Sequence, residues 1–349
     1  MASFSTFGSI ANRKGRRGVV IPTLPYQVSG GGYPGNGIID ISINKTNGDN
    51  PGSLHTIFFK NPATANYTFS TTADLSASIL IVSGGGGGGA NRGSIGSYGG
   101  GGGGGNVVVY DSCGGKITNI TKESTFSISV GAGGAGGIYN STLPTKGSVS
   151  SLNALTGKIL SSTGTILCDS STILNAPNNG TTPSNSISGT ISGTQSLGQS
   201  GAGAGGGGGT GPYNLSGYGN AVTVNARSGG VGSIGGNGGG TLVNSRAAWT
   251  SASGDGGSGG GGGPGGMPGL NGRLNASNTL SLGRGGTGTF CTFMNTYYGN
   301  GGNSYATAVV SGTPNTGNGG NGGFTSIPYP GSDGGSGVVI IQITIPQPA

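Results

Sequence analysis

Residues 79–89 read ILIVSGGGGGG, an unbroken aliphatic run that passes through one serine into six consecutive glycines. The two halves ask for opposite surroundings. A short, mostly β-branched run bounded by turn residues is a strand buried on both faces. Six glycines have no side chain to bury, and each loses more backbone entropy on ordering than any other residue. The junction recurs along the chain. Residues 99–110 read GGGGGGGNVVVY, residues 125–137 TFSISVGAGGAGG, and residues 331–345 GSDGGSGVVIIQITI. The fold therefore turns on what the glycine segments do.

The remaining strand signals are short and aromatic or β-branched: residues 55–60 (HTIFFK), 67–70 (YTFS), 116–120, 158–160 and 165–168. Residues 138–200 are rich in Ser, Thr and Asn and read as turns and short edge strands. No segment carries a 3.6-residue apolar period, so almost no helix is expected. After residue 200 the glycine segments return at 201–209, 229–240, 254–269, 283–288, 299–302, 317–323 and 331–337.

Three readings of these segments compete. Flexible linkers join domains, but here the segments alternate with short strands inside one region and leave little to link. A phosphate loop is suggested by Gly131-x-Gly133-x-x-Gly136 after a strand. That motif needs a helix next and an acid about twenty residues on. IYNSTLPTKG follows instead, and neither requirement is met. The third reading is a packed bundle of extended threefold helices of the polyglycine-II kind. Such helices have no internal hydrogen bonds, so each must bond its neighbours at a spacing that excludes Cβ. This reading suits the alternation best. It places Gly84, Gly89, Gly99, Gly105, Gly131, Gly205, Gly238, Gly261, Gly319 and Gly335 in a structural glycine core.

Composition narrows the function. Of 349 residues 86 are Gly and 16 Pro, and only 7% are charged, against about 25% in ordinary soluble domains. With 31% hydrophobic residues bunched into runs, the chain does not read as disordered. Gly shows no sustained every-third spacing, which excludes collagen. One His (His55), one Glu (Glu123) and seven scattered Asp give no acid–base constellation, and GxSxG does not occur. No catalytic residue, cofactor or metal is expected. His55, within a strand, reads as structural. Asp255 and Asp333 stand in GDGG and SDGG without the tandem nonapeptide of calcium β-rolls, so they read as turn formers. Cys113, Cys168 and Cys291 are distant and form no CxxC pair, which argues against zinc; a single disulfide stays open. Tyr297, Tyr298, Tyr305 and Tyr329 are candidates for an exposed aromatic surface or for packing. Asn-x-Ser/Thr triplets begin at Asn44, Asn66, Asn119, Asn140, Asn179, Asn214 and Asn275, mostly as chance in so Asn-rich a chain. No run is apolar enough to span a bilayer.

The net charge is +7. Arg13, Lys14, Arg16 and Arg17 cluster before the first acid, Asp40. Residues 1–52 read as an extended basic N-terminal arm that binds a partner, and residues 53–349 as a glycine-rich β module. The arm is either a solvated segment or a docking segment for an acidic surface; nucleic acid is not the expected partner.

The order of these motifs resembles the glycine-rich domain of structural proteins from large DNA viruses and of phage tail fibres and adhesins. An aromatic strand (Ile57–Phe59), then Tyr67–Phe69, then Ile79–Val82, leads into a glycine run. A second run precedes Val107–Tyr110. A strand ending in VGAGG spans Ser127–Gly134, and GGSGxVIIxx is matched by Gly334–Gln342. The resemblance covers about residues 55–345. Residues 1–52 have no counterpart in it, and the shaft of a complete fibre is missing. It implies an all-β, helix-poor fold in which short strands clamp glycine layers. It also implies a non-enzymatic role in the virion, as a minor capsid component cementing or decorating other capsid proteins, the major capsid protein foremost. Homo-oligomers are compatible with it. The alternative is a receptor-binding adhesin at a fibre tip, with loops near 85–98, 138–200 and 270–300 contacting a host sugar or protein.

Overall fold

A computed structural model describes residues 24–30, 41–60, 66–90, 99–111, 118–138, 141–178, 180, 283–304, 310–323 and 330–346. It also describes the backbone of short strands at Ser196–Leu197, Tyr213–Asn214, Thr241–Leu242, Gly272–Leu274 and Leu280–Ser281. The described residues are all-β, in several mainly antiparallel sheets, with no helix.

Alternating apolar residues build two of these sheets. The first has five strands, in the order Tyr26–Gly30, Tyr67–Thr71, Thr125–Ser129, Ser150–Thr156 and Leu174–Ala176. Its inner face carries Tyr26, Tyr67, Phe69, Phe126, Ile128, Leu152 and Leu174, all buried. The second has eight. Across it run Ile166–Cys168, Ile159–Ser161, Thr118–Ile120, Leu75–Val82, Val338–Thr344, Leu54–Lys60 and Ile41–Thr46, and Val107–Tyr110 also pairs with Leu75–Val82. Its inner face meets the first sheet in one cluster, in which Phe59 lies 5.6 Å from Tyr67 between ring centroids. Burying such side chains contributes about 1.5–3 kcal/mol each.

The eight-stranded sheet is covered on its other face as well. Leu80, Val82, Val107, Val338 and Ile340 pack there against Cys291 and Tyr298 of a hairpin, Thr289–Cys291 with Thr296–Tyr298. This explains the unbroken apolar run of residues 338–341: a strand sandwiched on both sides needs no polar face.

At one end of the sandwich the strands stop and glycine rods continue them. Leu75–Val82 runs into residues 84–89, Thr125–Ser129 into 131–137, and residues 99–105, 145–148 and 331–337 lead into Val107–Tyr110, Ser150–Thr156 and Val338–Thr344. Segments that were separated by a side-chain core now touch backbone to backbone. Rod 84–89 lies at the centre. Its amides donate with a three-residue period to three neighbours. Gly84 and Gly87 bond Ser148 O and Thr145 O, Gly85 and Gly88 bond Gly335 O and Ser332 O, and Gly86 and Gly89 bond Gly103 O and Gly100 O, all at 2.8–3.0 Å. Its carbonyls accept from two more rods: Gly85 and Gly88 from Gly134 and Gly137, Gly86 and Gly89 from Gly320 and Gly323. Five rods thus surround it. On a further side the Asn178 amide donates to Gly84 O at 3.2 Å and to Gly147 O at 2.6 Å. All residues from 84 to 90 are buried.

Side-chain oxygens manage the handover from strand to rod. Ser150 Oγ donates to Val82 O at 2.6 Å and accepts from Gly131 N at 2.9 Å. Ser83 Oγ donates to Ala176 O and accepts from Ser150 N at 3.2 Å. Within residues 1–52, Tyr26–Gly30 and Ile41–Thr46 form edge strands of the two sheets, so the described part of that segment is built into the sandwich. Tyr26, with Val28, and Ile41, with Ile43, supply the apolar side chains that hold it there.

The close approach sets the sequence. A Cβ on Gly87 would sit 2.0 Å from Ala135 O, and one on Gly88 2.0 Å from Asn321 O. Backbone carbonyls locked in a bond lattice cannot move aside. Gly87→Ala is expected to destabilise the chain by about 3 kcal/mol, the upper range for overpacking. Ala135→Ser, at an exposed position, is expected to leave stability within about 0.5 kcal/mol. Urea denaturation of the two variants beside the parent checks both.

Candidate functional site

The glycines assigned to a structural core are placed as follows. Gly84, Gly89, Gly99, Gly105, Gly131, Gly319 and Gly335 lie in the bonded rods. Gly205, Gly238 and Gly261 lie outside the described residues, as do Arg13, Lys14, Arg16, Arg17, Cys113, Tyr305 and Tyr329.

Among the described residues no group of three or more His, Cys, Asp or Glu could hold a metal ion. His55 is fully buried. Its Nδ1 lies 2.8 Å from the Tyr26 hydroxyl and its Nε2 2.8 Å from Gly48 O. A carbonyl can only accept, so Nε2 donates to Gly48 O, and in the neutral ring Nδ1 accepts a hydrogen bond from the Tyr26 hydroxyl. The ring thereby ties an edge strand of one sheet to the other. Asp333 does not shape a turn. It lies within rod 331–337, and its exposed carboxylate accepts from Gly136 N at 2.7 Å. Asp255 lies outside the described residues. Cys168 and Cys291 are buried free thiols. Asn44, Asn66 and Asn119 are exposed, and the other triplets lie at residues whose side chains are not described.

The side-chain chemistry of the bundle is concentrated on its outer rods, 283–288, 299–304 and 317–323. Where a rod lacks a further backbone neighbour, asparagines supply the missing acceptor. Asn303 and Asn300 accept from Gly285 N and Gly288 N at 2.9 and 2.8 Å. Asn321 and Asn318 accept from Asn303 N and Asn300 N at 2.8 and 3.0 Å. Ser332 accepts in turn from Asn321 N at 2.7 Å. The three-residue spacing in GNGGNS and GNGGNGG (299–304 and 317–323) is the trace of this ladder in the sequence. It was open to reading as a period, and composition alone hides it among ordinary turn residues.

Rods 283–288 and 299–304 are joined by the hairpin Thr289–Cys291 and Thr296–Tyr298. Its inward side chains, Cys291 and Tyr298, are buried, and Thr292 Oγ1 donates to Asp111 at its tip. Burial pushes the Cys291 thiol up to about 11 and the Tyr298 hydroxyl to about 12. Its outward residues, Phe290 and Tyr297, are directly opposite and exposed, with ring centroids 5.0 Å apart. Of the two described candidates for an aromatic surface, Tyr297 is exposed and Tyr298 is core.

The profile of the glycine-rich domain family matches residues 60–288, and the chain belongs to that family. No curated protein matches the chain.

Two outcomes follow from this geometry. Asn303→Ala removes the acceptor of Gly285 N and is expected to cost about 1 kcal/mol. It should also speed amide exchange at Gly285, whereas Asn303→Asp keeps an acceptor and leaves that amide protected; hydrogen exchange resolves the two. The raised values of Cys291 and Tyr298 stabilise the fold fully below their ordinary values near 9 and 10. That contribution is lost as pH rises through about 11 and 12. The melting temperature is therefore expected to be insensitive to these two groups below pH 9 and to fall steadily above it. Over the same range Cys291 should begin to react with a thiol reagent in mass-resolved labelling.

Proposed function

We propose that this chain is a structural protein of a virion, a minor capsid component that cements or decorates the capsid through contacts with other capsid proteins, chiefly the major capsid protein. The supporting observation is the central rod 84–89, whose six amides all bond the backbones of three surrounding segments and whose carbonyls accept from two more. Shape in this region is fixed by main-chain bonds, which suits a part that bears load rather than one that turns over substrate. The three-residue bonding period supports reading the rods as packed polyglycine-II-like helices, which have three residues per turn. The order of strand and glycine motifs is the one that resembles virus and phage structural domains. In this reading the cluster Arg13, Lys14, Arg16 and Arg17 contacts an acidic surface of a neighbouring capsid protein.

A second reading, an adhesin at a fibre tip, is favoured by one observation. Phe290 and Tyr297 are held outward by a hairpin whose other face is core.

Quantitative mass spectrometry of purified particles tests both. Many copies, in fixed ratio to the major capsid protein, are expected for the capsid role. A handful of copies lost on shearing of fibres would replace it with the adhesin, and absence from particles would overturn both.

A further inference from the structure

The seam between rods 283–288 and 299–304 continues directly into the aromatic hairpin, and the register fixes which side chains face each other. Gly301 N bonds Gly286 O at 2.8 Å and Ser304 N bonds Gly283 O at 2.9 Å. The same antiparallel register carries on into the Phe290–Tyr297 pair. It sets Arg284 opposite Asn303 and Thr287 opposite Asn300. With a three-residue period along each rod, Arg284 and Thr287 project from one line, which leads on to Phe290. Asn303 and Asn300 project from the other, which leads on to Tyr297. The result is a two-column stripe: a cation and an amide at one end, a hydroxyl and an amide in the middle, an aromatic pair at the other end. Arg284, Thr287, Phe290, Tyr297 and Asn303 are exposed and Asn300 is half-buried. At a rise of about 3.1 Å per residue the stripe is roughly 19 Å long.

Its chemistry selects its occupant. Arg284 is the sole charged side chain between residues 283 and 304, so the stripe favours a neutral or anionic ligand. Two columns about 5 Å apart and this length present at most a few hundred Å², well below the roughly 800 Å² per partner of a stable protein interface. Exposed rings offer faces for the C–H surface of a sugar ring. The Thr287 hydroxyl and the NH2 groups of Asn300 and Asn303, whose oxygens are held by Gly288 and Gly285, meet its hydroxyls, the usual division between apolar lining and a few placed polar groups. We infer that this stripe binds an extended acidic oligosaccharide, with sugar rings on Phe290 and Tyr297 and a carboxylate toward Arg284. The inference rests on the adhesin reading and gives it a ligand class and a site. A glycan that binds elsewhere on the chain would sink the stripe and leave that reading standing.

The test is affinity electrophoresis of the full chain through gels cast with alginate, polygalacturonate or hyaluronan, and with neutral dextran. At least one polyuronate is expected to retard the chain more than dextran does. The double variant Phe290→Ala, Tyr297→Ala should weaken that retardation at least about tenfold in apparent affinity. Arg284→Gln should abolish the preference over dextran. The aromatic variant keeps the +7 charge, so retardation that survives it unchanged is nonspecific and overturns the proposal. Failure of every polyuronate to retard the parent also overturns it, as does capture of a protein by the stripe in its place. Thermal melting of each variant confirms that a lost signal reflects the stripe and not the fold.

Discussion

The glycine half of this molecule depends on peptide backbones touching peptide backbones. In an ordinary sandwich two sheets stand about 10 Å apart because side chains fill the gap. Here the strands of both sheets leave that gap and run on as glycine rods, and Gly84, from one sheet, bonds Ser148, which leads into the other. The side-chain core ends, and a lattice of N–H···O bonds takes over its task. Such a lattice admits no Cβ between rods. It also leaves little room for error in register, since a rod shifted by one residue would present its bonds to the wrong neighbours. Each glycine gives up much entropy on ordering. That cost is offset only because every amide of the central rod finds a partner and because the sandwich aligns the rods beforehand.

The two halves of the fold are therefore unequal partners. The sandwich is held by the apolar cluster that includes Phe59, Tyr67, Phe69 and Phe126, and it needs no rods to bury its side chains. The rods gain little from the hydrophobic effect and inherit their spacing and direction from the strands they extend. Ser83 and Ser150 stand where one regime becomes the other. Their hydroxyls bond backbone groups on both sides of the change, Val82, Ala176 and Ser150 of the strands and Gly131 of a rod.

Much of this architecture is readable in the sequence where chemistry is extreme. Residues 79–82 and 338–341 announce strands buried on both sides, and the glycine runs after or before them mark rods, because no other residue type gives such runs. The reading fails where side chains are small. Ser150–Thr156 is a full inner strand of the five-stranded sheet, yet it buries little more than Leu152 and Ala154, so it reads as a turn-rich stretch. Edge strands Tyr26–Gly30 and Ile41–Thr46 are similarly understated, since half of each faces out. The hairpin at 289–298 goes unseen because its strands bury only one cysteine and one tyrosine, Phe293 and Met294 packing from the connection between them. The asparagines of 300–321 read as loop residues because their role, replacing an absent backbone carbonyl, has meaning only at the rim of a lattice.

That rim has a bearing on how long the protein keeps its covalent identity. Asn300, Asn318 and Asn321 each precede glycine, the sequence in which the next backbone nitrogen most readily attacks the side-chain amide, closing an imide ring and expelling ammonia. In the bundle those nitrogens are engaged. Gly301, Gly319 and Gly322 donate to Gly286, Asn300 and Asn303 carbonyls at 2.7–2.9 Å, and the amide oxygens are held by the next rod. The geometry of attack is closed off at each of the three. Asn47-Gly48, in an exposed turn with both residues at positive φ, has no such lattice around it. The lattice that orders the module's backbone thus also shields these asparagines from this route of chemical ageing.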